Sequence, residues 1–354
     1  MSTARDPNEA AAAWYARYRD LRLKLALLVG AIALVVAMIV FVGKNLLSIN
    51  PGPGTPIGHA VRTDGHIAVL IQTLEAYIPS PNRDHSKDTY AISLFILPLD
   101  GSKPQLVKLK EGMRPNAFSL AKVIGSDGRA LWFDAAGVGA VDLSTFKLLP
   151  PAELRDPPEP KRTNALPFGP KVEDHLAAGL FTSPTTWLGL LSAEEATRDL
   201  KPGFSLKRVR DAVSAKQQRG FHRCTLSPEP GVMGHPILTT EPMGDTAYFN
   251  AAFLRPHDAA EPLRLRDPDS ALMVYTSAPG LKGTTILARV DLEGKVLWRT
   301  DTGIDRFALQ QILPGEGSTA FYGTRPPEED KVPEPLLVIV EHGTGTMRTE
   351  SLWR

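Results

Sequence analysis

The most prominent pattern along the chain is one long apolar run, residues 25–43, between Lys24 and Lys44. Its 19 residues carry no charge, and as an α-helix they would span about 28 Å, close to the roughly 30 Å hydrocarbon core of a bilayer. A buried core helix would keep a polar face, and a cleaved signal peptide would have a shorter apolar region followed by an A-x-A-like site. The pattern therefore predicts a single transmembrane helix that is retained as a signal anchor.

Basic side chains are concentrated on the N-terminal side of this run. Those that precede it are Arg5, Arg17, Arg19, Arg22 and Lys24. Within about 20 residues after it, the window that sets orientation, only Lys44 and Arg62 are basic. The positive-inside rule then predicts that residues 1–24, an amphipathic segment, are cytoplasmic and that residues 25–43 contact the lipid bilayer. The C-terminal remainder is expected on the periplasmic side of a cell inner membrane.

After a Pro/Gly-rich linker, predicted for residues 44–56, the pattern changes to short apolar runs. Most contain four to eight residues rich in Val, Ile, Leu, Thr and aromatics, bounded by Gly, Pro, Asp or Ser, as in residues 65–74, 90–99 and 335–342. Such runs indicate antiparallel strands. No later run is long enough for a second span, so residues 57–354 are predicted to form an all-β extracytoplasmic domain.

An internal repeat makes this prediction more specific. Four segments share a strand, an acidic residue in a tight turn, and a second strand. Their acidic residues are Asp100, Asp142, Asp291 and Glu341, at intervals of 42, 149 and 50 residues. Repeats of about 40 to 50 residues with several strands each are typical of propeller blades, and residues 57–354 would accommodate six or seven irregular blades. The alternative is a pair of β-sandwich domains with a boundary near residues 151–170.

One of these segments carries a family resemblance. Asp291, Gly294, Lys295 and Trp298 resemble the D-x-x-T-G-K-x-x-W element of pyrroloquinoline-quinone-type propeller repeats, with a turn one residue shorter. The resemblance implies that the aspartate begins a turn between strands and that the tryptophan packs between blades. Cofactor-binding members rely on a vicinal disulfide and eight blades. Because Cys224 is the only cysteine, the resemblance concerns architecture and no cofactor is expected.

The middle of the chain departs from the repeat. Residues 150–160 are proline-rich and cannot pair as central strands. Ser192 and Glu195 have the spacing of a capping box, and residues 192–223 are predicted to be partly helical. We therefore expect an irregular insertion around residues 150–223.

Composition and charge exclude several functions. Forty basic and 39 acidic residues give a net charge of +1, which provides no field for nucleic acid. A single cysteine excludes an internal disulfide and a thiolate-rich zinc site. Nucleotide-binding, serine-hydrolase, zinc-protease and EF-hand motifs are absent, so no catalytic residue is predicted.

Two groups of residues could still hold a cation. His222, Cys224 and His235, with Met233 and Met243, have soft ligand chemistry that would suit copper. Their spacing is not compact, however, so the prediction is no metal site, with these residues as weak candidates. The triplet Glu173-Asp174-His175 could perform acid/base work, or it could cap a helix over the following residues 176–180.

A basic segment suggests a partner. Residues 198–223 contain eight basic and two acidic side chains. Lys207, Arg208 and Arg210 within it are the predicted contacts to a protein or an anionic envelope component, by screened attraction. The leading functional hypothesis is a membrane-anchored binding or scaffold propeller. The alternative is an envelope glycan hydrolase or lyase whose site is assembled from several blades.

Overall fold

The computed structural model describes residues 54–76, 88–114, 121–154, 171–177, 179–197, 218–230, 236–256, 259, 261–279, 283–328 and 331–353. The predicted span at residues 25–43 and most of the linker lie outside these ranges. None of the helices within them has the length and apolar character needed to cross a bilayer. The described residues belong to one compact unit, Gly52–Arg354.

The N-terminal part of this unit forms two four-stranded antiparallel sheets. The first sheet comprises β1 (Thr55–Arg62), β2 (His66–Ala76), β3 (Thr89–Pro98) and β4 (Gln105–Met113), paired in chain order. The second sheet comprises β5 (Lys122–Ser126), β6 (Ala130–Asp134), β7 (Val138–Asp142) and β8 (Lys147–Leu148), also in chain order. Residues 65–74 and 90–99, predicted as strands from their apolar runs, correspond to β2 and β3.

A nine-stranded third sheet and a four-stranded fourth sheet follow. The third contains β9 (Leu176–Ala177), β10 (Gly179–Ser183), β11 (Thr186–Leu191), β12 (Gln218–Pro230), β13 (Pro236–Leu254), β14 (Arg264–Leu265), β15 (Ser270–Thr276), β16 (Thr284–Asp291) and β17 (Val296–Asp305). The fourth contains β18 (Leu309–Pro314), β19 (Ser318–Thr324), β20 (Pro335–Glu341) and β21 (Met347–Ser351). The all-β prediction is thus confirmed for the described residues.

The long strand β13 joins two four-stranded sets within the third sheet. It pairs with β12 up to Phe249 and with β15 from Phe249 onward. One set is therefore β10-β11-β12-β13, and the other is β13-β15-β16-β17.

The four repeated segments occupy one equivalent position. Each forms the hairpin between the third and fourth strands of a four-stranded set, namely β3–β4, β7–β8, β16–β17 and β20–β21. Three of the acidic residues accept backbone N–H bonds in the turn: Asp100 from Ser102 at 2.8 Å, Asp142 from Ser144 at 2.9 Å and Asp291 from Lys295 at 2.8 Å. The predicted turns are therefore confirmed.

The sheets stack face to face. Successive side chains of a strand point to opposite faces of its sheet, and in the central strands the two sets of side chains enter different cores. In the first sheet, Leu70 and Ile92 pack against the second sheet, whereas Val69 and Phe95 pack against the fourth. The fourth sheet also packs against the third, through Phe321 and its neighbours. The order of the stack is second, first, fourth, third.

The first and last sheets of the chain are therefore neighbours. A bulge in β1 removes Ala60 from the β2 ladder. Its N–H instead donates to Gln311 Oε1 on β18, at 2.6 Å, in a buried bond. Trp298 of β17 packs between the third and fourth sheets and donates to the His342 carbonyl at 3.3 Å.

The irregular middle matches its prediction only in part. The capping box is present: Ser192 N–H donates to Glu195 Oε2 at 2.8 Å, and Glu195 N–H donates to Ser192 Oγ at 3.2 Å. It begins the short helix α1 (Ala193–Thr197). The alternative of a helix over residues 176–180 is wrong, because β9 and β10 occupy residues 176–177 and 179–180. In the segment predicted to be partly helical, residues 192–223, α1 is the helical part among the described residues, and residues 218–223 belong to β12.

Replacing Ser192 with alanine tests this cap. The change removes the side-chain acceptor for Glu195 N–H, and an N-cap of this kind stabilises by about 1 kcal/mol. We expect a correspondingly lower urea midpoint for the full-length chain in detergent. Ser192→Asp should restore the wild-type midpoint, and an unchanged midpoint in the alanine variant would contradict the assignment.

Candidate functional site

A cleft of about 460 Å³ lies between the third and fourth sheets, at the end where β17 passes into β18. Ligand pockets commonly have volumes of this order. Its polar lining residues are Lys171, Glu173, Asn250, Thr276, Thr285, Arg306 and Gln310. Its apolar and aromatic lining residues are Val172, Leu176, Val274, Tyr275, Phe307 and Leu309.

Two bulges place amide side chains at the cleft. On β13, Asn250 and Ala251 together oppose Tyr275, and Asn250 has a positive φ of 52°. On β18, Gln310 is the extra residue between the pairs that Leu309 and Gln311 form with β19. Bulges re-aim side chains and are frequent beside functional sites. Asn250 and Gln310 both line the cleft for this reason.

Arg306 contributes a fixed positive charge. It follows β17, where its N–H donates to the Gly283 carbonyl at 3.1 Å. Its guanidinium donates to Thr276 Oγ1 in the third sheet. Burial lowers the pKa of Arg306 to about 10, so the group remains protonated at neutral pH, in surroundings that screen its charge less than water does.

Thr285 provides a buried hydroxyl at the same place. It pairs with Thr276 across β15 and β16, and only 2% of its surface is exposed. Thr302 donates to the Thr285 carbonyl at 2.7 Å. The Thr285 hydroxyl has no hydrogen-bond partner in the described part of the chain, and leaving such a group unsatisfied costs about 1–3 kcal/mol.

A 3₁₀ helix, Val172–His175, brings Lys171 and Glu173 to the cleft. Arg255, just after β13, holds it: Arg255 N–H donates to the His175 carbonyl at 2.9 Å, and its Nε donates to the Asp174 carbonyl at 3.1 Å. Of the predicted triplet, Glu173 lines the cleft and His175 is buried.

The apolar side of the cleft is continuous with the core. Leu176, Val274 and Leu309 line it and also pack in the cluster between the third and fourth sheets. Phe307, 48% exposed, adds an aromatic surface. The site thus combines one half-buried guanidinium and several neutral polar groups with an apolar wall.

The weak metal candidates do not form a site in the described residues. His222 Nδ1 lies 3.1 Å from the carbonyl oxygen of Gly220, two residues earlier, and Cys224 is buried beside Trp187 and Leu191. No group of three potential metal ligands forms within the described ranges. His235 and Met233 lie outside them, and Met243 packs against an apolar cluster.

Burial raises the pKa of the Cys224 thiol to about 11, so the thiolate that reacts or binds metal is scarce at neutral pH. We expect Cys224 in the native chain to resist alkylation by iodoacetamide at pH 7.5 and to react fully in urea. Mass spectrometry of the two samples checks this. Rapid alkylation of the native chain would contradict the buried position.

The predicted partner contacts Lys207, Arg208 and Arg210 lie outside the described residues. Arg219, from the same basic segment, is only 4% exposed. It donates to Glu195 Oε1 at 3.0 Å and to the Ala251 carbonyl at 3.4 Å. Arg219 therefore joins α1 and β12 to β13.

No family model matches the sequence, and no curated protein matches it significantly. Similar solved structures include uncomplexed Pyrococcus horikoshii acylaminoacyl peptidase, 12% identical with a TM-score of 0.22, covering 85% of this chain and 46% of that one. Acylaminoacyl peptidase in complex with Z-Gly-Gly-Phe-chloromethyl ketone is 10% identical with a TM-score of 0.22, covering 88% and 53%. The chain spans about half the length of these structures. Likeness of this degree supports no conclusion about fold or function.

Proposed function

We propose that this chain is a membrane-tethered, periplasmic β-propeller-type binding protein and that its ligand site is the cleft between the third and fourth sheets. The observation that carries the proposal is the convergence of Arg306, Thr285 and Asn250 on a ligand-sized cleft with an apolar wall. A few fixed polar groups in a mostly apolar recess are what small-ligand and peptide sites share.

The propeller architecture is supported by three features. Five four-stranded sets can be traced in the described residues, fewer than the six or seven blades expected from length. The sheets stack face to face, and the first sheet packs on the last. The repeated hairpin occupies the same position in four of the sets. Blades of a propeller share these properties.

Tethering is supported by the sequence of residues 25–43 and by the basic residues before them. A binding site on a domain joined to the bilayer by the linker at residues 44–56 would encounter envelope components. Lys207, Arg208 and Arg210 would add attraction to an anionic partner.

The tether predicts that the full-length chain resists extraction from membranes by alkaline carbonate. A reporter enzyme fused after Arg22 should be active only in the cytoplasm, and one fused after Arg354 only in the periplasm. Release by carbonate, or the opposite reporter pattern, would overturn the tether.

The binding function predicts selective retention of an envelope component. The detergent-solubilised full-length chain would be compared with Arg306→Leu and with the control Arg299→Leu, which makes the same change at an exposed position of β17. Wild type and the Arg299 variant should retain the same component from an envelope extract, and the Arg306 variant should lose it. Equal retention by all three chains would place binding elsewhere.

A further inference from the structure

The charge of the cleft limits what it can bind. Its described lining contains two cations, Lys171 and Arg306, and one carboxylate, Glu173. This set of charges favours a ligand with an anionic group over a cationic one.

The geometry around Arg306 suits a planar anion. Its backbone is fixed by Gly283 and its guanidinium by Thr276. A guanidinium held in this way matches the two oxygens of a carboxylate better than it matches a spherical ion. Because both anchoring contacts are already formed without ligand, little side-chain entropy remains to be lost on binding.

Thr285 supplies a second, independent indication of a ligand. It is 2% exposed and lines the cleft, and its hydroxyl has no partner among the described residues. A ligand oxygen could accept its proton and remove the cost of an unsatisfied buried group. An entirely apolar ligand would leave that cost in place.

The apolar wall defines the rest of the ligand. Leu176, Val274 and Leu309 belong both to the lining and to the core between the sheets. Apolar groups placed against them would be removed from water, which contributes about 0.8 kcal/mol for each methylene.

We propose that the ligand of this cleft is a monocarboxylate joined to an apolar group, with the carboxylate at Arg306 and Thr285 and the apolar group against Leu176, Val274 and Leu309. The inference rests on the proposed binding function and names its ligand class. Two sources have this chemistry: the C-terminal end of an apolar peptide, and a fatty acid. The Asn250 and Gln310 amides, which can each donate and accept, match the peptide bond of the first source.

The test uses calorimetry on the detergent-solubilised full-length chain with four probes. N-acetyl-L-leucine and hexanoate represent the two sources, and N-acetyl-L-leucinamide and hexanamide are their uncharged counterparts. Both acids should bind and both amides should bind at least tenfold more weakly. Tighter binding of N-acetyl-L-leucine than of hexanoate would identify the peptide end, and the reverse order the fatty acid. Amides that bind as well as the acids would overturn the proposal.

Three variants locate the binding. Thr285→Val keeps the side-chain shape and removes the unsatisfied hydroxyl, so the chain should be at least as stable as wild type while affinity for the acids falls about fivefold, the loss of one hydrogen bond. Arg306→Leu should abolish acid binding, and Arg299→Leu should leave it unchanged. Wild-type affinity in a folded Thr285→Val chain would overturn the assignment, even if the Arg306 variant fails to fold.

The calorimetric test of the ligand class and the retention test of the proposed function can fail independently of each other. Retention of an envelope component that depends on Arg306, together with no binding of either acid, would reject the ligand class and leave the binding function standing. If neither acid binds and retention of the envelope component does not depend on Arg306, both the ligand class and the binding function are rejected.

Discussion

Replacement of Phe321 by alanine is expected to lower the free energy of unfolding by about 3–5 kcal/mol, the usual cost of removing a fully buried aromatic ring. Phe321 lies on β19 and is 0% exposed. Its cluster joins Leu254 and Leu272 of the third sheet to Ile312 and Val338 of the fourth. The cavity would therefore open between two sheets, where both would have to shift to close it.

Urea unfolding of the full-length chain in detergent measures this effect. Phe181→Ala is the matched control, because Phe181 is 46% exposed and its ring pairs with the Trp187 ring, with the two ring centroids 5.7 Å apart. Its expected cost is about 1 kcal/mol, the value of one aromatic pair. Similar midpoints for the two variants would mean that the interface between the third and fourth sheets contributes little to stability.

Most of what could be predicted of the fold follows from the short apolar runs in the sequence. The apolar runs at residues 65–74, 90–99 and 335–342 all form strands, β2, β3 and β20. Their side chains are buried on both faces because the first sheet lies between the second and the fourth, and the fourth sheet lies between the first and the third. Continuous apolar runs instead of strict alternation result from that burial.

The long hairpin β12–β13 could not be predicted in the same way. Many side chains in the first half of β13 are exposed and polar, as at Glu241, Asp245 and Thr246. This part is a strand because its backbone pairs with β12, and backbone hydrogen bonds leave no apolar pattern in the sequence. The same reason explains why β12 was not predicted at residues 218–223, where basic and small residues have no strand periodicity.

The cleft was equally inaccessible to sequence reasoning, apart from Glu173. Asn250 and Thr285 stand singly on different strands, Arg306 follows a third strand, and the three match no spaced motif. Asn250 and Gln310 enter the cleft because of bulges, and a bulge shows only in the register of the partner strand. The position of the repeated hairpins, by contrast, followed from their own turn residues.

His342 provides the second large expected effect, a loss of stability in acid. The residue is 3% exposed and lies just after β20, where Thr319 Oγ1 is 2.9 Å from its Nε2. Burial, with added repulsion from Arg62 and Arg289, lowers the pKa of His342 from 6.5 to about 4. Both arginines are held by carbonyl and hydroxyl oxygens: Arg62 by Leu313 and Ser318, and Arg289 by Ser270, Arg266 and Pro268.

The direction of this pH effect on stability depends on whether the folded or the unfolded chain binds the His342 proton more tightly. The unfolded chain protonates His342 near pH 6.5, whereas the folded chain does so only near pH 4. The stabilisation is therefore complete above about pH 6.5, decreases as the pH falls from 6.5 to 4, and does not change further below 4. The total loss from this residue is about 3 kcal/mol.

His342→Asn removes the titrating group and keeps a polar side chain beside Thr319. Urea midpoints of wild type and variant, measured from pH 7.5 to 4, should converge as the pH falls, because only wild type loses the contribution of His342. Burial also lowers the pKa of His59, with a smaller addition from Lys122, so the variant should keep a weaker acid dependence. His59→Asn in the same background should reduce it further. If the wild-type and His342→Asn curves run parallel over this interval, the neutral imidazole is not what makes the junction of the first, third and fourth sheets sensitive to acid.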